Sequence, residues 1–361
     1  MEQSLFIKWV NKFFPGIVIK VTSTLNDEKR QPSYLHKTML RREFSISGKW
    51  ESINEANSLV AADVVAMDSP LPLKTRPSIS KASGDIPKIG MELKLNENQL
   101  TALDLLVKSG ATDAQIVAKL FADTPRVIAG VNERLEKMFL EGLSSGVTVV
   151  DTDNVGTGIR LDFGYPTANK FKTKTAVWTS PSTATPITDL NQLIDAASTK
   201  GDVLAYVMMD KTTFNNMKAS AEGKDLYATS IGNFGNTKPV PSREQFMEAF
   251  EAETGLKIII VDRSVRTEKD GTATSAKPWA VGQVVALTSL EVGQLVWAEL
   301  AEMNHPVDGV SYQRADGFIL VSKYRANKPS LSEWTSSQAR VVPVITGADS
   351  IYVLDTTTVN E

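Results

Sequence analysis

The sequence predicts an α+β chain on three observations: a helical repeat of apolar residues between Thr112 and Gly146, an alternation of helices and buried strands from Ile187 to Asp262, and a closing third made of short strands. At 361 residues, with 42% hydrophobic and 22% charged side chains, the chain is long enough for two packed parts and apolar enough for a core.

Residues 1–58 read as an N-terminal arm that lies over something else. Leu5, Phe6, Trp9, Val10, Phe13 and Phe14 recur at helical spacing. So few turns favour a short helix docked on protein over one lying in a membrane interface. Gly16–Val21 and Glu43–Ser47 read as short strands, and "NDEKRQPS" as a loop. A basic start, a long apolar region and a small-residue cleavage site are all missing, so the chain is expected to stay in the cytoplasm of its producing cell.

Residues 59–97 read as an extended hairpin. The segment from Asp68 to Gly90 carries prolines at 70, 72, 77 and 87, and Lys74, Arg76, Lys81 and Lys88, with no apolar face long enough to anchor it. Leu71–Ser80 alternates outward, and Ile89, Met91, Leu93 and Leu95 alternate back with the period of a half-buried strand. A turn is expected at Lys81–Asp85. Two strands alone are marginal in water, so the hairpin needs a partner surface.

Residues 98–187 hold the helical part. A cap at Asn96 or Asn98 opens a helix ending at Gly110, and Thr112 caps the next. Ile116, Leu120, Val127, Val131, Leu135, Met138 and Leu143 keep helical spacing, and Pro125 should kink the helix or split off its first turns. After Gly146 the texture changes to strands and turns: "VTVVDTD", "GIRLDFGY" and "TKTAVWTS". Residues 188–290 read as an α/β insertion: a helix from Thr188 or Asp189 to Gly201, the strand "VLAYVMM", the helix "KTTFNNMKAS", a loop from Gly223 to Pro241, the helix "SREQFMEAFEAETG" and the strand "LKIIIVD". Residues 291–361 read as one β-rich closing piece.

Chemistry is sparse. With no cysteine and only His36 and His305, thiolate catalysis, disulfides and histidine-rich metal sites are excluded, and no cofactor is expected. A net charge of −3 argues against a surface built to grip nucleic-acid phosphates. The glycine run "NVGTGIRLDFGYP" is followed by a strand and Pro166 rather than a helix, so it reads as a turn and not a nucleotide loop. Asp210 and Asp262 end buried strands, where catalytic carboxylates sit, but without motif partners they read as caps or turn residues. Glu133 and Glu136 read as the solvated face of the long helix, Glu133 lying four residues before Lys137, and Trp178 and Trp334 read as packing anchors.

The order of parts resembles the major capsid proteins of tailed bacteriophages, the Hong Kong 97-type fold, and is most similar to the phage lambda major capsid protein branch. The residues carrying the resemblance are "SPLPLKTRPSIS" with "IPKIGMELKLNENQ", "DFGYPTANKFKTKTAVWTSPSTATPITDLNQLIDAA", "VLAYVMMDKTTFNNMKAS" and "WTSSQARVVPVI". It implies an arm, an extended loop, a spine helix in a peripheral domain and an axial domain. It also implies a non-enzymatic shell subunit in hexamers and pentamers around double-stranded DNA, with scaffold and portal proteins, and in some members decoration proteins, as partners. Inter-subunit contact is then expected at Leu71, Leu73, Lys74, Arg76, Ile79, Lys81 and Lys88. Some members cross-link a lysine of this loop to an asparagine; Lys74, Lys81 and Lys88 are available, but no asparagine or assisting carboxylate stands out, so cross-linking is not expected. The alternatives are an encapsulin-like compartment shell of the same fold and a soluble α/β enzyme with the Asp68–Gly90 segment as a lid.

Overall fold

The computed structural model describes residues 1–27, 33–55, 79–150, 159–233, 235, 238–269, 272–328 and 330–360. The first helix, α1 (Ile7–Leu25), runs through Gly16–Val21, the stretch expected as a strand. Val10, Phe14, Val18 and Leu25 are all buried, so the stripe that starts the helix continues past Pro15, whose missing donor costs one bond without ending it. After α2 (Leu35–Met39) and β1 (Leu40–Phe44) come β2 (Lys49–Glu55) and β3 (Ile79–Asp85), which pair as a two-stranded sheet. Lys81–Asp85 is therefore strand, not the expected turn, and the limb Leu71–Ser80 lies mostly outside the described residues. Gly84 marks a close approach: a Cβ there would lie 2.8 Å from Nε1 of the buried Trp50.

The return strand β4 (Lys88–Leu95) alternates as expected, but its partner is in its own chain. It pairs antiparallel with a long C-terminal strand, Leu95 opposite Glu333 and Lys88 opposite Arg340. A reciprocal Asn96–Gln99 capping box opens α3 (Glu97–Lys108), and α4 (Asp113–Leu120) follows Thr112. Pro125 falls in the first turn of the 22-residue α5 (Thr124–Ser145), where the lost N–H has no helical partner anyway, so it splits α4 from α5 instead of kinking one helix.

Next come the antiparallel pair β5 (Val147–Val150) and β6 (Ile159–Asp162), then the short β7 (Lys170–Thr173); Trp178 lies beyond β7, outside any strand. The α/β stretch contains α6 (Pro186–Lys200), β8 (Tyr206–Asp210), α7 (Lys211–Ala219), α8 (Ala221–Ser230), α9 (Arg243–Thr254) and β9 (Lys257–Val261). The expected loop from Gly223 begins inside α8, which starts because the Ser220 hydroxyl accepts the Gly223 N–H at 2.9 Å. Gly201 at φ +85° closes α6 in the left-handed conformation glycine favours. The remainder is β10 (Val265–Lys269), β11 (Thr272–Ala276), β12 (Gln283–Leu287), β13 (Gly293–Ala298), α10 (Ala301–Asn304), β14 (Ser311–Ala315), β15 (Ile319–Ala326), β16 (Ser332–Ile345) and β17 (Ile351–Val359).

These elements form two units. One comprises Met1–Trp50, Ser83–Lys137 and Gln294–Val344. Its sheet runs β1-β13-β16-β15-β14 with β4 also on β16, and its core joins α1, α4 and the start of α5 through Phe14, Ile116, Leu120, Val127 and Val131. The other takes the described residues of Glu51–Ala82, Met138–Gly293 and Ile345–Glu361. Its sheet runs β7-β17-β12-β8-β9, parallel at both ends and antiparallel in the middle. Helices α6, α7 and α9 pack Leu190, Leu193, Phe214, Met217, Phe246 and Phe250 around Trp178, Met209, Tyr352 and Leu354. The β-rich end of the chain is thus divided. β16 serves the first unit almost throughout, while β17 completes the α/β sheet, because its register against β12 buries Tyr352 and Leu354 there.

Candidate functional site

The β2–β3 pair is clamped at its root. Gly48, at φ +69°, turns the chain into β2, and its carbonyl accepts from Ile86 N–H at 3.1 Å and from Arg340 Nη2 at 3.0 Å. Arg340 Nε also donates to Ile86 O at 3.3 Å. One guanidinium on β16 therefore ties the chain just before β2 to the chain just after β3, its rigid fork suiting two carbonyls at once. Of the residues expected at the contact, Leu71, Leu73, Lys74 and Arg76 lie outside the described residues. Ile79 and Lys81 are on β3, and Lys88 is exposed at the start of β4 beside Arg340.

The arm is fixed to the same unit by ionic and hydrogen-bonded contacts rather than by packing alone. Glu2 bridges Arg325 through its backbone, and Ser4 Oγ and Leu5 N–H donate to Glu333 Oε1 at 2.8 and 2.6 Å. Further along, Asp316 sits at φ +54° in the turn between β14 and β15, its carboxylate nearly inaccessible. It accepts from Asn26 at 2.7 Å and from Lys37 and Arg42 at 3.1 Å each. Burial acts against it, but the two cations and the amide hold the Asp316 carboxyl below the usual carboxylate range. α2, between these anchors, is held by Glu136, which is buried against His36 instead of lying on a solvated helix face as expected.

Beneath the arm lies a lysine whose position the sequence reading misses. Lys323 is fully buried on β15, donating to Leu120 O and to Thr335 Oγ1 at 3.0 Å each, on the strand face it shares with Glu333. Burial pushes its ammonium down from 10.5 to about 8, against the attraction of Glu333 and Asp123. Between those two values the unfolded chain holds a proton that the folded chain has released, so stability rises with pH on this residue's account. Lys323→Met should flatten that slope, read by urea titrations stepped across the window; a slope equal to that of the unaltered chain would place it on other groups. A charge inside the run "FILVSKYRA" is the signal that could have marked it.

The carboxylates weighed for chemistry are structural. Asp210 caps α7, accepting from Thr212 and Thr213 N–H at 2.8 and 3.2 Å, and Asp262 makes an exposed ion pair with Lys211 at 3.2 Å. Trp178 is buried, and Trp334 stacks on Tyr324 at 6.3 Å with Lys94 over its ring, so both are packing residues. Among the described residues no group of three histidine, cysteine, aspartate or glutamate side chains is placed to hold a metal, and no helix is long and apolar enough to cross a membrane.

No protein-family model and no curated protein matches the sequence. The fold does have solved relatives. A prophage protein of Escherichia coli CFT073, assigned as a capsid protein, matches at a TM-score of 0.58 with 11% identity, over 94% of this chain and 98% of its own. A chain of the cyanophage A-1(L) capsid asymmetric unit matches at 0.50 with 13% identity, over 92% and 96%. The fold is that of phage capsid proteins. At these identities the likeness is one of fold, and it agrees with the α+β class read from the sequence. Within the capsid fold, the clamped excursion root and the arm anchors are the features whose chemistry this chain's own residues define.

Proposed function

We propose that the chain is the major capsid protein of a tailed bacteriophage, of the Hong Kong 97 type, and that it self-assembles into hexamers and pentamers of an icosahedral shell around double-stranded DNA. The observation that carries this reading is co-extension: 94% of this chain aligns with 98% of a protein assigned as a capsid protein, so the likeness covers the subunit from end to end. The physics supports it as well, since a two-stranded excursion clamped at its root is marginal alone and gains stability from a surface on another copy. The reading assigns the protein a structural role, with scaffold and portal proteins as partners, assembly in the host cytoplasm and residence in the virion shell.

In this reading residues 1–48 are the arm and 49–97 the extended loop, whose outbound limb starts at Lys49 rather than at the expected 59 because β2 pairs with β3; 98–187 are the peripheral domain with α5 as spine, 188–290 the axial domain, and 291–361 the closing strands. Leu71, Leu73, Lys74, Arg76, Ile79, Lys81 and Lys88 contact the neighbouring subunit. Sedimentation and negative-stain electron microscopy of the expressed chain should reveal capsomers or closed shells. A strictly monomeric species under every salt and scaffold condition would sink the reading.

A further inference from the structure

The α/β unit carries opposite charge at the two ends of its sheet. β7 is one edge strand and β9 the other, about 19 Å apart at the usual strand spacing. On β7, Phe171 packs toward the core under α6, so Lys170 and Lys172 project to the opposite side, where both are exposed. Neither has a carboxylate partner among the described residues; Asp355, in register with Lys172, is engaged by Thr357 and Thr358. At the other end α9 packs on β9 and α8. It buries Phe246, Ala249 and Phe250, which leaves Glu244, Glu248 and Glu251 along its outer ridge. Glu251 lies 3.7 Å from Lys257, whereas Glu244 and Glu248, like charges one turn apart, have no cationic partner among the described residues.

Edge lysines also deter strand addition, but that role calls for no acidic ridge at the far end of the sheet. We propose that Lys170 and Lys172 of one copy dock against Glu244 and Glu248 of the next, a head-to-tail contact between α/β units. The occupant of each patch is a second copy of this chain because the chain itself supplies the complementary charge. A contact that uses the Lys patch on one side of a copy and the Glu patch on the other closes into a ring when the rotation allows, as a hexamer or pentamer requires, whereas a two-fold contact would bring both patches of each copy into one interface and stop at a dimer, which patches at opposite edges of the sheet do not favour. The inference rests on the capsid reading and names the contact that would build its rings.

The test uses the full chain and two charge reversals, Lys170→Glu with Lys172→Glu, and Glu244→Lys with Glu248→Lys. Each reversal alone sets like charge against like and should raise the concentration for half-assembly into rings roughly tenfold or more, with the unfolding midpoint unchanged. An equimolar mixture of the two variants, and a chain carrying all four changes, should both recover assembly. Zero-length carbodiimide coupling of assembled rings should join a peptide containing Lys170 or Lys172 to one containing Glu244 or Glu248. Rings that form normally in the single reversals, or fail to return in the fourfold variant, overturn this contact and leave the capsid reading standing. A lysine reversal that weakens only DNA retention likewise overturns it, and an unaltered chain that never forms rings overturns both.

Discussion

Replacing Trp178 by alanine is expected to cost the α/β unit about 3–5 kcal/mol of stability. The indole has no exposed surface and lies in the cluster of Leu190, Leu193, Phe214, Phe246 and Tyr352, so its removal leaves a large cavity that helices on a formed sheet collapse into poorly. The ring also supplies a donor: Nε1 bonds Asp189 Oδ2 at 2.9 Å. Asp189 is buried and otherwise accepts the Lys174 N–H at 2.8 Å and Gln192 Nε2 at 3.3 Å. Burial pushes its carboxyl up, and the indole and the Lys174 amide work against that shift. Trp178→Phe keeps most of the volume and loses the donor, and should cost about 1–3 kcal/mol. Urea unfolding followed by near-ultraviolet circular dichroism separates the two. Equal losses in both variants would assign the effect to the hydrogen bond and not to the cavity.

Glu136→Ala is expected to destabilise the other unit by about 3–5 kcal/mol, because the Leu35 and His36 amides and the His36 ring lose their shared partner at about 1–3 kcal/mol each. Glu136 and His36 are both essentially inaccessible. The carboxylate bonds His36 Nδ1 at 2.7 Å and accepts the backbone N–H groups of Leu35 and His36 at 2.9 and 3.0 Å. These are first-turn amides of α2, which has no side-chain cap of its own, so a glutamate distant in sequence does the capping. Glu136→Gln retains one acceptor oxygen and the volume, and should lose about 1–3 kcal/mol. Thermal unfolding of the three proteins side by side checks the order; an alanine variant as stable as the parent would mean that α2 finds other acceptors.

Both results bear on what the sequence shows. The α5 repeat, the capping signals at Asn96 and Thr112, Gly201 after α6 and the role of Pro125 are legible because each depends on neighbours within one or two turns. The role of Trp178 as a packing anchor is legible for the same kind of reason, a large aromatic in a polar segment having few other uses. The solvated reading of Glu136 fails because Glu133 and Lys137, at ion-pair spacing, carry no information about a histidine 100 residues earlier. The strand expected at Gly16–Val21 fails because a β-branched run there also fits the buried stripe of α1.

The excursion shows the same division. Alternation in Ile89–Leu95 was sufficient to make it a strand, since a two-residue period is a local property. Its partner is β16, about 250 residues away by the Lys88–Arg340 register, and β3 pairs with β2 across a long connection. The arm's anchors at Glu333 and Asp316 and the burial of Lys323 arise in the same way.

By itself the sequence determined the α+β class, most helices and their ends, the strand character of the last third and the absence of thiol chemistry. Only the tertiary structure decided which strands pair, which unit each C-terminal strand joins and which charged side chains are buried. Periodicity and capping act between residues a turn apart, whereas pairing and burial depend on surfaces that long chain segments bring together only when folded.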